Sequence, residues 1–324
     1  MSSPRSSSVL DWPATASSRA GRPVASAAER RRNRVRRKLK ENVTAYGLLC
    51  AALVVFALFS WYPIVRGVLL SFQQVDFVNP PTWVGFDNFT RLFEDPLFGI
   101  AWRNTLLFTG LALVFGFVVP FLTAVLLNEL RHAKAFFRLA VYLPVMLPPV
   151  VTALMWKWFY DPGAGLFNSA LGAVGLPGGQ WLDSSDTSML SLVFVSTWAN
   201  MGSTTLIYLA ALGTIPGELY EAAELDGAGL WKRLIHVTLP QTRFVLLVLL
   251  LLQVVATMQV FTEPYVMTGG GPDDSTVTVL LLLYRYAFVY NDFGSASALS
   301  LLLFVALGVF SALYVRLTRK ADES

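Results

Sequence analysis

The sequence has 324 residues, of which 55% are hydrophobic and 14% are charged, and its formal net charge is +4. This composition is too apolar for a soluble domain of that length and is typical of a polytopic membrane protein. The single cysteine, Cys50, excludes an internal disulfide, and two isolated histidines, His132 and His236, lack the spacing of a metal site. The basic residues lie between hydrophobic runs, which argues against nucleic acid as a partner.

Residues 1–44 are rich in Ser, Ala, Pro and Arg and end in the run ERRRNRVRRKLK. Such a segment cannot bury enough apolar surface to fold, so we predict a disordered basic cytoplasmic tail. The basic run favours a role in orienting the first helix, and contact with anionic lipid or nucleic acid is the alternative.

Six uncharged apolar runs approach the roughly 20 residues that a membrane-spanning helix needs. They are 45–65, 104–128, 139–156, a segment within 187–217, 244–262 and 293–315. Prolines lie inside the second and third runs and predict kinked helices. These are Pro120 in the second and Pro144, Pro148 and Pro149 in the third. A seventh run, 275–284, is too short to span and predicts a re-entrant or external amphipathic segment.

The distribution of positive charge predicts the orientation of the chain. With six spans, the termini and loops on one side hold all but five of the 25 Lys and Arg residues. The five on the other side are Arg66, Arg91, Arg103, Lys157 and Arg285. By the positive-inside rule, both termini lie in the cytoplasm. We therefore predict an all-α, multi-pass protein of the cytoplasmic (inner) membrane, with a six-helix transmembrane domain at 45–316 and a short cytoplasmic tail at 317–324.

The loop between the fourth and fifth spans, 217–241, interrupts the apolar sequence with a compact charged block. Glu218, Glu221 and Glu224 recur at steps of three, which places them on one face of a helix. Asp226-Gly227 would end that helix, because glycine readily adopts positive φ. A second short helix would begin near Ala228 and end at Pro240. The loop therefore predicts a helix, a glycine elbow and a second helix.

The same block resembles the EAA loop of ABC importer permeases. It has Glu221-Ala222-Ala223, three residues, Gly227, nine residues, and then Val237-Thr238-Leu239-Pro240, with Val237 where isoleucine is usual. Three further segments are similar to the carbohydrate-uptake branch of that family, namely 61–63 (WYP), 84–89 (VGFDNF) and 268–272 (TGGGP). The resemblance covers residues from about 45 to 316 and implies the MetI-like permease fold.

In that family the EAA loop is a coupling helix that docks on a cytoplasmic ATPase subunit. The resemblance implies that the coupling residues are Glu221, Ala222, Ala223, Asp226, Gly227, Leu239 and Pro240. It also implies three kinds of partner: a second homologous permease, a cytoplasmic ABC ATPase dimer and an extracytoplasmic solute-binding protein. The chain has no G-x-x-x-x-G-K-[ST] phosphate loop, so we expect no cofactor and no enzymatic activity in this chain, and ATP to be used by the partner subunits.

Polar residues inside two spans predict a substrate path. Asn200, Ser203, Thr204 and Tyr208 share one face of the fourth span, and Gln253 and Thr257 lie four residues apart on the fifth. Neutral hydroxyls and amides suit a sugar, whereas the span centres carry no charge for an ionic substrate. The alternative is that these groups only hydrogen bond one helix to another.

The sequence as a whole predicts the permease subunit of an importer for a sugar or an oligosaccharide. A sugar-related solute, such as a glycerol phosphate compound, is the alternative substrate. An ion-coupled secondary transporter would need ion-binding acids or unwound half-helices near the midplane, which the sequence does not show. A membrane enzyme would need a reactive cluster, and the acidic grouping of Glu263, Asp273 and Asp274 is equally well explained by loop solvation.

Overall fold

The computed structural model describes residues 42, 43, 45–75, 79–130 and 132–322. The predicted disordered tail, 1–44, lies outside the described residues except for Asn42 and Val43, which are helical. The chain divides into two compact units, Met1–Pro63 and Ile64–Ser324. The site described below lies entirely within the second unit.

The described chain is built almost entirely from helices, which confirms the all-α prediction. The helices are α1 (Ala45–Leu70), α2 (Asp87–Glu94), α3 (Pro96–Glu129), α4 (Lys134–Met146), α5 (Pro149–Phe159), α6 (Leu166–Ala173), α7 (Ser188–Leu212), α8 (Gly217–Leu225), α9 (Leu230–Thr257), α10 (Val279–Val289) and α11 (Phe293–Asp322). Two short strands, β1 (Gln73–Gln74) and β2 (Thr82–Trp83), pair antiparallel, with Gln73 opposite Trp83.

Four of the predicted spans are helices that are long and apolar enough to cross a membrane, namely α1, α3, α9 and α11. Helices α4 and α5 meet the same requirement as a bent pair, which would make a fifth span. The fourth predicted span is α7. This helix has 25 residues, but it is not among the helices of the described chain that are apolar enough to cross a membrane. Its Ser, Thr and Asn side chains lower its hydropathy, so the count of six spans stays a prediction.

The prolines of the second and third spans have different effects. Helix α3 is a single helix with Pro120 inside it. Between α4 and α5, by contrast, the chain turns by 99°. Leu147 and Pro148 are extended there because a residue that precedes proline is driven out of the helical conformation. Pro149 then starts α5 at a position where its missing N–H is not needed.

Helices α3 and α7 pack along each other and form the centre of the second unit. Their buried apolar residues meet in two clusters, one containing Phe108 and Val193 and the other containing Phe121 and Leu209. Helix α7 also approaches α4 closely at Gly202, where a Cβ atom would lie 2.5 Å from the carbonyl oxygen of Val141. Packing this close holds the polar face of α7 in a fixed position.

The segment between α9 and α11 is fastened to the first part of α3. The side-chain amide of Asn104 donates to the carbonyl oxygens of Asp274 and Val277, at 2.8 and 3.1 Å. The hydroxyl of Thr105 accepts from the backbone N–H of Val279 at 2.9 Å. Helix α10 in this segment is too short to span a membrane, as predicted for the seventh apolar run.

The helix ends differ from the predicted domain boundaries. Helix α3 begins at Pro96 rather than at 104, and the carboxylate of Asp95 caps it by accepting from the backbone N–H of Leu97 at 2.8 Å. Helix α11 continues to Asp322, so the described part of the tail predicted at 317–324 is helical, and its cytoplasmic location stays a prediction. Arg316 and Arg319 favour this extension, because cations near a helix C-terminus interact favourably with its dipole.

The close approach at Gly202 predicts a position-specific loss of stability. Gly202→Ala places a methyl group against the backbone of α4 and should lower the free energy of unfolding by about 1–3 kcal/mol. The control is Gly110→Ala in α3, where a Cβ atom meets nothing within 4 Å. Unfolding of the purified protein by SDS in mixed micelles measures both variants, and equal midpoints would contradict the packing described here.

Candidate functional site

A cavity of about 510 Å³ lies between α3, α7, α9 and the segment that follows α9. Its wall carries many hydroxyl and amide side chains, namely Ser196, Thr197, Asn200, Ser203, Thr204, Gln253, Thr257, Gln259 and Thr262. The volume falls in the range of small-molecule binding sites. The apolar part of the wall includes Phe108, Phe117 and Phe261. The cavity therefore combines neutral hydrogen-bonding groups with aromatic surface.

Three of the four residues predicted on the polar face of α7 line this cavity, namely Asn200, Ser203 and Thr204. Tyr208 is not on the wall: its side chain is fully buried and packs edge-on against Phe121, with ring centroids 5.3 Å apart. Ile207, the preceding residue of α7, does line the cavity, so Tyr208 lies at the depth of the cavity but its side chain packs against α3 instead. The structure therefore does not bring Tyr208 to the cavity that the other three residues line, and its place on the substrate path stays a prediction.

Both residues predicted on α9, Gln253 and Thr257, line the cavity. The amide of Gln253 donates to the carbonyl oxygen of Ala112 on α3 at 3.4 Å, and the hydroxyl of Thr257 donates to the carbonyl oxygen of Gln253 at 2.8 Å. Gly116 leaves room for this amide, because a Cβ atom there would lie 2.7 Å from Gln253 Nε2. The structure thus brings α7 and α9 together as predicted, while the role of each residue in transport stays a prediction.

Glu263 is a cavity residue that the sequence analysis missed, because it grouped this acid with Asp273 and Asp274 as a solvated loop. The structure places Glu263 on the cavity wall and leaves it only partly exposed. Burial raises the pKa of its carboxyl, and a hydrogen bond with the Ser196 side chain acts in the opposite direction. The signal for its position was its place directly after the predicted fifth span, following the polar residues Gln259 and Thr262.

The charged loop contains the predicted helix and elbow. Helix α8 ends at Leu225, Asp226 is its C-cap, and Gly227 follows with a φ of 73°. The backbone N–H of Ala228 donates to the carbonyl oxygen of Ala223 at 2.9 Å, and that of Gly227 donates to Glu224 at 3.0 Å. These bonds form a Schellman motif, which needs a left-handed residue after the helix. The glycine elbow is therefore confirmed.

The prediction that a second short helix ends at Pro240 is wrong. Helix α9 begins at Leu230 and continues through Pro240 to Thr257. A π-helical turn, Leu234–Thr238, precedes the proline, and the N–H of Leu239 bonds to the carbonyl oxygen of Leu234. The wider turn gives the proline ring the room that a regular helix lacks. The elbow is thus joined directly to the helix that carries Gln253.

The residues of the EAA-like block are mostly accessible on the surface of the described chain. Glu221, Ala222, Asp226, Gly227 and Pro240 are exposed, and Ala223 and Leu239 are partly buried. Two large apolar side chains beside the acids are also exposed, Leu225 at 90% and Trp231 at 67%. Exposed apolar groups of this size beside small residues are typical of a docking surface.

Side-chain contacts hold α8 against the start of α9. Glu224 forms a short ion pair with Arg233, and the hydroxyl groups of Tyr220 and Thr238 lie 3.1 Å apart. Leu234 anchors α9 by packing among the buried residues of α3 and α7. These contacts brace the elbow, and the acids Glu221 and Asp226 remain exposed on it.

The buried position of Tyr208 predicts that two Tyr→Phe substitutions change the free energy of unfolding differently. Its hydroxyl is buried and has no hydrogen-bond partner in the described chain, so Tyr208→Phe should leave the free energy of unfolding unchanged or raise it. Tyr160→Phe is the matched control and should lower that free energy by about 1 kcal/mol, because the Tyr160 hydroxyl donates to the carbonyl oxygen of Ser191. SDS unfolding midpoints of the two variants measure the difference, and a large loss for Tyr208→Phe would show a partner for its hydroxyl.

Known proteins share both the sequence and the fold. Residues 116–323 match the family described as "Binding-protein-dependent transport system inner membrane component". A probable ABC transporter permease protein of Bacillus subtilis, YurN, is 36% identical over 88% of this chain and 99% of its own length. The sulfoquinovosyl glycerol transport system permease protein SmoG of Agrobacterium fabrum is 33% identical over 88% of this chain and 93% of its length.

A third relative and a solved structure extend this similarity. The trehalose/maltose transport system permease protein MalF of Thermococcus litoralis is 31% identical over 87% of this chain and 96% of its length. A crystal structure of a bacterial ABC transporter involved in the import of the acidic polysaccharide alginate contains a chain that is 27% identical, with a TM-score of 0.78. That alignment covers 89% of this chain and 99% of the other. On this evidence the protein belongs to the family of inner membrane components of binding-protein-dependent transport systems, the ABC transporter permeases.

Proposed function

We propose that this permease translocates a sugar or an oligosaccharide across the cytoplasmic membrane as part of an ABC importer. The observation that carries the proposal is the cavity between α3, α7 and α9, whose wall offers hydroxyls and amides next to aromatic rings. Sugars need many neutral hydrogen bonds, and their ring faces pack on apolar surface. The permeases named for trehalose/maltose and sulfoquinovosyl glycerol transport support a sugar-like solute.

The exposed face of α8 is the proposed docking site for a cytoplasmic ATPase subunit. Glu221 and Ala222 are accessible there, and the bracing of the elbow makes it suitable for transmitting force. Movement of α8 would be passed to α9, because one helix connects Leu230 at the elbow with Gln253 and Thr257 on the cavity wall. Closure of the ATPases would then expose the cavity to each side of the membrane in turn.

The remaining partners follow from this arrangement. A second homologous permease completes the translocation path, an ABC ATPase dimer binds on the cytoplasmic side, and a solute-binding protein delivers the sugar from outside. Both termini lie in the cytoplasm, in keeping with the distribution of basic residues. ATP is hydrolysed by the partner subunits, and this chain acts as a permease without a cofactor of its own.

The elbow geometry predicts how coupling can be broken. Gly227→Val forces a β-branched side chain into left-handed backbone, which costs about 1–2 kcal/mol or more and should disturb the elbow, although a Cβ atom there meets nothing within 4 Å. Uptake and copurification of the ATPase subunits should both fall at least about tenfold, while the amount of permease in the membrane stays the same.

Gly229→Ala is the matched control for that experiment, because Gly229 has a φ of −67° and is equally unobstructed. It should retain the uptake and the ATPase subunits of the unmodified protein. Normal uptake by Gly227→Val would contradict the docking role of α8.

The energy source separates this proposal from an ion-coupled secondary transporter. Uptake of tritiated disaccharides by right-side-out vesicles should stop when internal ATP is depleted and continue when the ion gradients are collapsed by ionophores. The panel of disaccharides is chosen by testing which of them raises the thermal unfolding temperature of the solute-binding protein. The reverse dependence, on ion gradients and not on ATP, would refute the ABC importer.

A further inference from the structure

The cavity wall contains an acidic side chain in a position that loop solvation does not explain. Among the described residues that line the cavity, Glu263 is the one whose side chain is ordinarily charged at neutral pH. It follows α9 and precedes the π-helical turn Pro264–Thr268, so the backbone holds it within ordered structure. The side chain of Ser196 on α7 lies close enough to lower the pKa of the Glu263 carboxyl, against the larger opposite effect of burial.

Glu263 lies where two cavities meet. A smaller cavity of about 70 Å³ adjoins the first and is lined by residues of α4, α5 and α7. Three residues contribute to the walls of both cavities, namely Pro149, Asn200 and Glu263. The carboxyl of Glu263 and the amide of Asn200 therefore mark the junction between the two spaces.

Other polar groups around this junction lack partners. The hydroxyl of Thr197, on the wall of the large cavity, is buried without a hydrogen-bond partner in the described chain. The hydroxyl of Thr152, on the wall of the small cavity, is also buried without a hydrogen-bond partner in the described chain. Buried polar groups are nearly always hydrogen bonded, so an ordered water at the junction would be a suitable partner for these two hydroxyls.

We propose that Glu263 contacts the transported solute and determines its charge class, by hydrogen bonding a hydroxyl group of an uncharged sugar and excluding anionic solutes. This inference rests on the proposed function and narrows its substrate class. The charge class of the solute differs among the similar proteins, which include a transporter for the acidic polysaccharide alginate and a trehalose/maltose permease.

A carboxyl group can hydrogen bond a sugar hydroxyl in either protonation state, and its ionised form also repels an anionic solute. An ionised carboxylate accepts strong hydrogen bonds from sugar hydroxyls and repels a second negative charge nearby. A protonated carboxyl, which burial favours, still donates and accepts with a sugar hydroxyl. It offers no positive charge to an anion, and the described residues of the wall include no Lys, Arg or His that could do so.

The first experiment measures uptake by the complete transporter in its native host. The probes are tritiated neutral disaccharides and the corresponding disaccharides that carry one uronic acid. Glu263→Ala should lower the maximal rate for the neutral sugar at least about tenfold, whereas Glu263→Gln, which keeps the shape and the hydrogen bond, should stay within about twofold. The control Asp186→Asn removes one negative charge from an exposed residue outside both cavities and should change nothing.

The second experiment measures contact directly. The transporter is purified through a tag on this chain, without its solute-binding protein, and saturation-transfer NMR measures the affinity for the same sugars. The unmodified complex should bind the neutral sugar at least about tenfold more tightly than the uronic sugar, and Glu263→Gln should reduce this ratio several-fold. Retention of the ATPase subunits on the tag verifies that each variant is assembled.

The outcomes distinguish the two proposals. Equal rates and equal affinities for both sugar classes in assembled Glu263→Ala, Glu263→Gln and unmodified transporters would overturn the role of Glu263 while leaving ATP-driven sugar uptake intact. Preferential transport of the uronic sugars by the unmodified protein would overturn the charge selection. Absence of ATP-dependent sugar uptake by the unmodified transporter would refute the proposed function, and this inference with it.

Discussion

The constraint on which this structure depends is that polar groups inside a membrane must find partners within the protein. Helix α7 carries many such groups, and apart from the buried Tyr208 hydroxyl the fold provides for them in two ways. Some bond within or between helices, as the Thr205 hydroxyl does with the carbonyl oxygen of Pro120 on α3. Others, such as Asn200 and Ser203, face the shared cavity. The same residues that make α7 less apolar than its neighbours therefore create the site.

The packing that solves this problem also fixes the geometry of the cavity. Gly202 lets α7 approach the backbone of α4, and Gly116 leaves space for the amide of Gln253. Both glycines act by the absence of a side chain in tightly packed helices. Because α8 is braced against the start of α9, movement of the proposed docking surface would be passed along α9 to the wall of the cavity. Coupling then requires no separate transmission path through the protein.

The carboxyl group of Glu263 is the charged feature of the described cavity wall. The family tolerates different solutes, so the cavity must supply chemistry that separates them. In this chain the hydroxyls and amides are neutral, and Glu263 adds a group that favours hydroxyls over anions. Its position on the wall of the larger cavity would bring it into contact with a solute bound there. Specificity in the permease would thus depend on one carboxyl group supported by an uncharged wall.

The sequence by itself determined the helical class, the orientation signals and the glycine elbow, because hydropathy, basic flanks and the conformational freedom of Gly227 act over a few neighbouring residues. The helical spacing of Asn200, Gln253 and Thr257 also predicted that these residues lie on the inward faces of their helices. Only the tertiary structure decided the 99° break before Pro149, the continuation of α9 through Pro240, the burial of Tyr208 and the cavity position of Glu263. Each of these depends on contacts between distant segments. A wider helical turn accommodates Pro240, whereas the chain breaks before Pro149. A side chain lines a cavity only where neighbouring helices leave space.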